Sequence, residues 1–261
     1  MSTVTTPSAS VTVTGLDDCL TLDPARPLYV RHVRGPLTLS VVSIAWLRAI
    51  GDRARTALEC RHLSDAESVR VRQLPLPKRR LEWLAGRLAL KHGVCAYQRR
   101  HFDARTGTRD VHISTVADGL RAGRPWVDFP VEVGLSHSAD FAVAACGPRA
   151  VGIDVERTRR MPPMLAQLLA PTPGATDTES VGVAAMPLSL RWACKEAVLK
   201  HFGFGLRVDP QEVELTGWRP DGRFSWRAGP GLRRHVSQGD GRRFDSWARE
   251  VDGYCVALVW R

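Results

Sequence analysis

Residues 81–92 read LEWLAGRLALKH and residues 190–201 read LRWACKEAVLKH. Aligned without gaps, Leu81, Trp83, Leu90, Lys91 and His92 fall on Leu190, Trp192, Leu199, Lys200 and His201, a constant offset of 109 residues. Apolar residues recur among good helix formers in both stretches, so each is expected to lie in a long amphipathic helix. The first is expected over about 78–91, stopping near Gly93, and the second over about 188–202, ending at Gly203. The offset is near half of the 261-residue chain, and β-rich segments follow each helix. A duplicated α/β unit accounts for this better than shared core periodicity.

The second helix reads against a nearby strand. Residues 151–156, VGIDVE, are short, apolar and β-branched, and alternation along a strand points Asp154 and Glu156 the same way. On the helix, Glu196 and Lys200 are four apart and share a face. Three carboxylates without histidine or cysteine at ligand spacing favour a hard cation, and Mg²⁺ typically completes its shell with water and substrate phosphates. A lysine beside it is then a phosphate contact. The plain alternative is a solvated Glu196–Lys200 pair and a charged strand end. In the repeat, Arg87 occupies the position of Glu196, so one half offers a cation where the other offers a carboxylate.

The rest of the chain divides around these helices. Residues 1–27 are rich in Ser, Thr and Pro and are expected to form a loose tail or an irregular edge. Residues 28–147 then make a first α/β half, and residues 148–261 a second that carries the candidate metal site. A strand is expected over 37–46 and a short helix over 64–72, where Ser64 and Glu67 have capping-box spacing before Pro75 and Pro77. Further strands are expected over 111–115, 131–135, 141–146, 151–155, 212–216, 223–226 and 254–259. Residues 161–185 are small, proline-containing and unpatterned.

Composition narrows the classes of function. The formal charge of +10 and a pI near 10 point to an anionic partner: nucleic acid, an acidic protein or a polyphosphate ligand. No zinc-finger spacing, RNP aromatic pattern or recognition helix supports nucleic acid, so none is expected. The six cysteines are scattered singly, as in a reduced cytoplasmic protein. No secretory signal and no membrane-spanning apolar run is present, so no membrane association is expected.

Several cations and turns complete the pattern. Lys78, Arg79 and Arg80 open the first helix, and Arg87 and Lys91 lie along it. Gly123, Arg124 and Pro125 form a turn before Trp126, and Ser136-His137-Ser138 ends a strand. The ordered set RRLEWLAGR, GRPW, GLSHS, VGIDVE and WACKEAVLKHFGFGL resembles the surfactin-type (group II) 4′-phosphopantetheinyl transferases, over roughly residues 63–215, with an echo in the terminal DGYCVALV. Any one motif is weak; five in order are specific.

The resemblance implies a pseudo-twofold α/β (α+β) fold, two similar halves each with one long helix on a small sheet, and coenzyme A bound between them. It implies transfer of the 4′-phosphopantetheine arm of coenzyme A, as co-substrate, to a serine of an acyl, aryl or peptidyl carrier protein. By motif position, Asp154 and Glu196 would hold Mg²⁺ (or Mn²⁺), with Glu156 as a third ligand or water holder. Lys200 would contact the pyrophosphate, Ser136 and His137 the phosphate region, Lys78 and Arg79 the 3′-phosphate, and Gly123, Arg124 and Pro125 the adenine end; from its place along the first helix, Arg87 is expected among the cations that reach phosphate oxygens. Glu196 and Lys200 would carry the catalysis.

The chain departs from the family pattern in three places. Arg124 replaces the usual lysine, which keeps charge and changes geometry. Gly134 stands where asparagine is common. The segment that often carries a glutamate, proposed to include the base, reads LLAPTPGA at 168–175, with Glu179 the one glutamate nearby. Glu196 is therefore the candidate base, and a coenzyme A-binding relative with impaired catalysis is the alternative. A serine-hydrolase reading of GLSHS is disfavoured because a nucleophile elbow leads into a helix, and here a strand is expected to follow.

Overall fold

The computed structural model describes residues 15–16, 20–33, 35–169, 180–236 and 244–261, with the backbone alone at residues 180 and 181. In chain order the first half comprises β1 (Leu28–His32), β2 (Thr38–Ser43), α1 (Ile44–Ala49), α2 (Asp52–His62), α3 (Asp65–Gln73), α4 (Pro77–Phe102), β3 (Ile113–Thr115), β4 (Pro125–Val127), β5 (Glu132–Ser138) and β6 (Phe141–Gly147). The second comprises β7 (Val151–Arg157), α5 (Pro163–Leu168), α6 (Ser180–Ala185), α7 (Leu188–His201), β8 (Val213–Trp218), β9 (Phe224–Ala228), α8 (Pro230–Arg233), β10 (Asp245–Val251) and β11 (Tyr254–Trp260).

Strand pairing repeats between the halves. One antiparallel sheet has the order β1-β2-β6-β5 and the other β10-β11-β7, while β3–β4 and β8–β9 are separate hairpins. Each half runs strand, long helix, small hairpin, sheet hairpin: β2, α4, β3–β4, β5–β6, then β7, α7, β8–β9, β10–β11. The corresponding orders β2-β6-β5 and β7-β11-β10 are the same.

Alternating side chains build four layers from these elements. On β6, Ala142, Ala144 and Cys146 face α4, whereas Phe141, Val143 and Ala145 join a core shared by both sheets. On β11, Cys255, Ala257 and Val259 face α7, whereas Tyr254, Val256, Leu258 and Trp260 enter the shared core. The layers therefore run helix, sheet, sheet, helix. Both faces of β11 are buried, so its sequence lacks polar alternation.

Several expected boundaries are corrected. The first helix does not stop near Gly93 but continues to Phe102, capped by Asp103 in the left-handed region at φ 51°. Gly93 lies against the sheet: a Cβ there would stand 3.1 Å from Cys146 Sγ and 3.3 Å from Ser40 Cβ, so the glycine serves close packing. The strand expected over 37–46 ends at Ser43, whose hydroxyl accepts from Trp46 N at 3.0 Å and caps α1. The capping box of Ser64 and Glu67 is present.

Of residues 1–27, the described ones (15–16 and 20–27) follow the irregular-edge alternative and not a loose tail. Leu16, Leu20 and Leu22 are buried in the shared core, and Leu22 N donates to Asp252 Oδ2 at 2.7 Å. Glu179 and most of LLAPTPGA lie outside the described residues.

Candidate functional site at the seam of the two halves

The site begins with close approach of α7 to β7. Asp154 and Glu156 share the β7 face that carries Gly152, while Val151, Ile153 and Val155 enter the shared core. A Cβ on Gly152 would stand 2.0 Å from Ala197 O and 2.5 Å from His201 N, so only glycine lets the helix lie on the strand. That contact brings Glu196 and Lys200 over Asp154. From the first half, β5 lies beside β7 and supplies Ser136 and Ser138.

Lys200 Nζ stands 2.5 Å from Asp154 Oδ1 and 3.8 Å from Glu196 Oε2, and it donates to Ser136 Oγ at 3.0 Å. Ser136 Oγ in turn donates to Asp154 Oδ1 at 2.8 Å. Glu156 Oε2 accepts from Ser138 Oγ at 3.2 Å. One ammonium therefore serves a group of three carboxylates. Asp154 Oδ2 and Glu196 Oε1 are buried without a hydrogen-bond partner.

The electrostatics follow from burial and crowding. Desolvation pushes Glu196 up to about 7; Lys200 opposes this, and the Asp154 and Glu156 charges reinforce it. Asp154 and Glu156 are likewise raised, chiefly by burial. Burial alone would lower Lys200, yet Asp154 and Glu196 hold it above the usual lysine value.

Unpartnered buried oxygens on two hard carboxylates fit a cation that completes its shell with water and phosphate. Among the described residues, no group of three or more His, Cys, Asp or Glu side chains is placed to hold a metal ion together, so Glu156 does not join Asp154 and Glu196 as a third ligand. The donor set thus suits an ion held partly by substrate.

Two cavities open beside this seam. One, about 280 Å³, is lined by Lys200, Gly203, Arg207, Gly123, Arg124 and Pro125 among others. The second, about 400 Å³, is lined by Arg79, Glu82, Trp83, Arg87, Gly123, Pro125 and His137 among others. They share Gly123, Pro125 and Leu135 and so adjoin. A third cavity, about 560 Å³, lies against another face of α4; Arg80 and Leu81 line it, and none of Asp154, Glu156, Glu196 and Lys200 does.

The structure brings most of the sequence candidates together and gives several of them prior partners. Lys78 is 81% exposed, lines neither cavity, and reaches Glu82 at 3.8 Å, while Arg79 pairs with the same carboxylate at 3.1 Å. Arg87 donates to Ile113 O at 2.9 Å, packs 4.9 Å over the Trp83 ring and lies 3.9 Å from Glu67. Arg124 is ion-paired with Glu132. Ser136 and His137 separate: Ser136 is buried against Asp154, whereas His137 is exposed on the 400 Å³ cavity, its pKa lowered by desolvation. GLSHS forms β5 and runs into strand β6, so no nucleophile elbow exists.

Sequence reasoning missed Glu82, Ser138 and Glu67. Glu82 carried a signal in its spacing of four and three from Lys78 and Arg79. Lys91, grouped above with the other cations of the first helix, is wholly buried: its Nζ contacts Glu67 Oε2 at 2.7 Å and donates to Val111 O at 2.8 Å.

The duplicated fold thus carries a buried carboxylate–lysine group at its seam, opening onto cavities lined in part by cations. Residues 150–259 match the family model of the 4′-phosphopantetheinyl transferase superfamily, which supports a transferase of that class. That stretch contains β7, α7 and all of the carboxylates at the seam. Members of the superfamily use coenzyme A as substrate, act on carrier proteins and generally require a divalent metal. No curated protein matches the chain. Among the described residues no helix is long and apolar enough to cross a membrane.

Proposed function

We propose that this protein transfers the 4′-phosphopantetheine arm of coenzyme A to a serine of an acyl, aryl or peptidyl carrier protein, as the surfactin-type enzymes do. The observation that carries the reading is the pair of unpartnered buried oxygens, Asp154 Oδ2 and Glu196 Oε1, beside Lys200. Coenzyme A lies along the adjoining cavities, its pyrophosphate near Lys200 and its nucleotide end toward Arg79, Arg87 and His137.

In this reaction the carrier serine oxygen attacks the β-phosphorus, the bond to the bridging oxygen of adenosine 3′,5′-bisphosphate breaks, and the serine proton goes to Glu196. Asp154 and Glu196 would hold Mg²⁺ or Mn²⁺, which neutralises charge developing on the phosphate oxygens. Glu156 stays bonded to Ser138 and orients the edge of that group. Lys200 supplies a fixed cation beside the bridging oxygen, and Ser136 fixes Asp154 for its task. Burial raises Glu196 to about 7 without an ion, and a cation held there would favour the carboxylate that accepts the proton, directly or through a water.

The test is intact-mass spectrometry of a panel of apo-carriers incubated with the protein, coenzyme A and Mg²⁺. The expected result is the gain of one phosphopantetheine arm on at least one carrier, lost in Glu196→Gln. Unchanged transfer by that variant would remove Glu196 from the mechanism, and no gain on any carrier would favour a relative that only binds coenzyme A.

A further inference from the structure

The basic run Lys78-Arg79-Arg80 does not act as one patch. Adjacent positions on a helix turn by about 100°, and on α4 Arg79 lines the candidate site while Arg80 lines the separate 560 Å³ cavity formed with α1, α2 and α3. Val71, Pro77, Leu81 and Leu84 give this cavity an apolar floor, and Arg48, Arg55, Arg72 and Arg80 stand on its walls against only Asp52 and Glu59. The charges do not cancel internally. Arg55 takes Asp52 and caps the end of α1 through Leu47 O at 3.0 Å and Ile50 O at 2.5 Å, while Arg48 pairs with Asp140 at 3.1 Å. Arg72 and Arg80 donate through Nε to Ser68 O and Leu74 O, and among the described residues no carboxylate lies within ion-pair distance of either. Among the described residues Glu59 likewise makes no ion pair, and burial raises its pKa despite Arg72, Arg55 and Arg80 nearby.

Two further observations agree. The α4 N-terminus, whose Pro77 lines this cavity, has no side-chain cap and no acidic residue in its first turn, leaving the positive end of a long helix uncompensated. Helix α2, which lines the cavity through Asp52, Arg55, Thr56, Glu59 and Cys60, buries none of its residues, and the described side chains leave the cavity open. We propose that the cavity is a second binding site for an amphiphilic anion: an apolar chain on the floor of Val71, Leu81 and Leu84, and a carboxylate or phosphate head on Arg72 and Arg80. Its volume falls in the range of ordinary small-molecule sites, roughly 300–1,000 Å³. The inference is independent of the transferase reading, because no residue of the carboxylate–lysine group takes part.

Cys60 lines the same cavity and is exposed, whereas Cys95, Cys146, Cys194 and Cys255 are buried. It is therefore a reporter for occupancy. Alkylation by iodoacetamide, followed on the Cys60 peptide by mass spectrometry, should slow severalfold with decanoate or with decyl phosphate, the two arms separating a carboxylate from a phosphate head. Neither decanol nor inorganic phosphate should protect. Arg72→Gln/Arg80→Gln should abolish protection while the four buried cysteines stay unlabelled, which shows that the variant is folded; if it is not, the single variants Arg72→Gln and Arg80→Gln each report a partial loss. Absence of protection by both amphiphiles, equal protection by decanol or by phosphate alone, or full protection in folded arginine variants would each overturn the proposal.

Discussion

Lys200 is an ammonium lodged where carboxylates crowd, and its removal exposes what it balances. Breaking a buried ion pair costs about 3–5 kcal/mol, and Lys200, whose side chain is 28% exposed, belongs at the lower end. Lys200→Met is expected to lower stability by about 3 kcal/mol in urea denaturation and to abolish transfer. Gly134 gives a second expectation. A Cβ there would stand 2.8 Å from Val151 O, so Gly134→Asn, which introduces the side chain common in the transferases the sequence resembles, should destabilise the β5–β7 contact without raising activity in a transfer assay. Asp154, Glu196 and Lys200 were legible because strand alternation and helical spacing set their directions. Glu67 and Lys91 were not: their partner across twenty-four residues is invisible to local periodicity, and a lysine among other cations reads as surface.

At the scale of elements, the approach of α7 to β7 governs the site. Gly152→Ala would push Ala197 O away from the strand, moving Glu196 and Lys200 together. Overpacking of this kind typically costs about 1–3 kcal/mol or more, so the variant should lose most transfer activity and unfold at lower urea. Native stability with full activity would show that the helix is not held by this contact. The long helices, β7 and the β5–β6 hairpin were legible because each buries a periodic apolar face. Helix α2 was not, since it has no buried residue to make a period, and neither was β10, an outer strand whose Asp245, Arg249 and Glu250 interrupt the apolar pattern.

For the whole molecule, duplication places His92 and His201 at matching positions on α4 and α7, and both are held near pKa 4. Desolvation dominates in each case, with His62 and Arg61 adding to it for His92; for His201, Arg124 and Arg261 add to it while Val259 O opposes. The folded values lie below the ordinary 6.5, so the unfolded chain binds more protons between pH 6.5 and 4. The contribution of these two histidines to stability should therefore fall as pH drops through that window, while the raised carboxyls of Asp154, Glu156 and Glu196 act in the opposite sense. Between pH 7 and 4 the urea midpoint of His92→Gln/His201→Gln should therefore shift less toward lower urea than that of the native protein. The sequence revealed the repeat and the second half's carboxylates, but not that both sheets share one core, which depends on contacts between residues far apart in the chain.

Manganese titration followed by electron paramagnetic resonance, with coenzyme A present, tests most directly whether the two orphaned oxygens grip an ion. One bound Mn²⁺ per chain is expected, lost in Asp154→Asn and in Glu196→Gln while both variants remain folded by circular dichroism. Undiminished Mn²⁺ binding in the two variants, or none in the native protein, would contradict it.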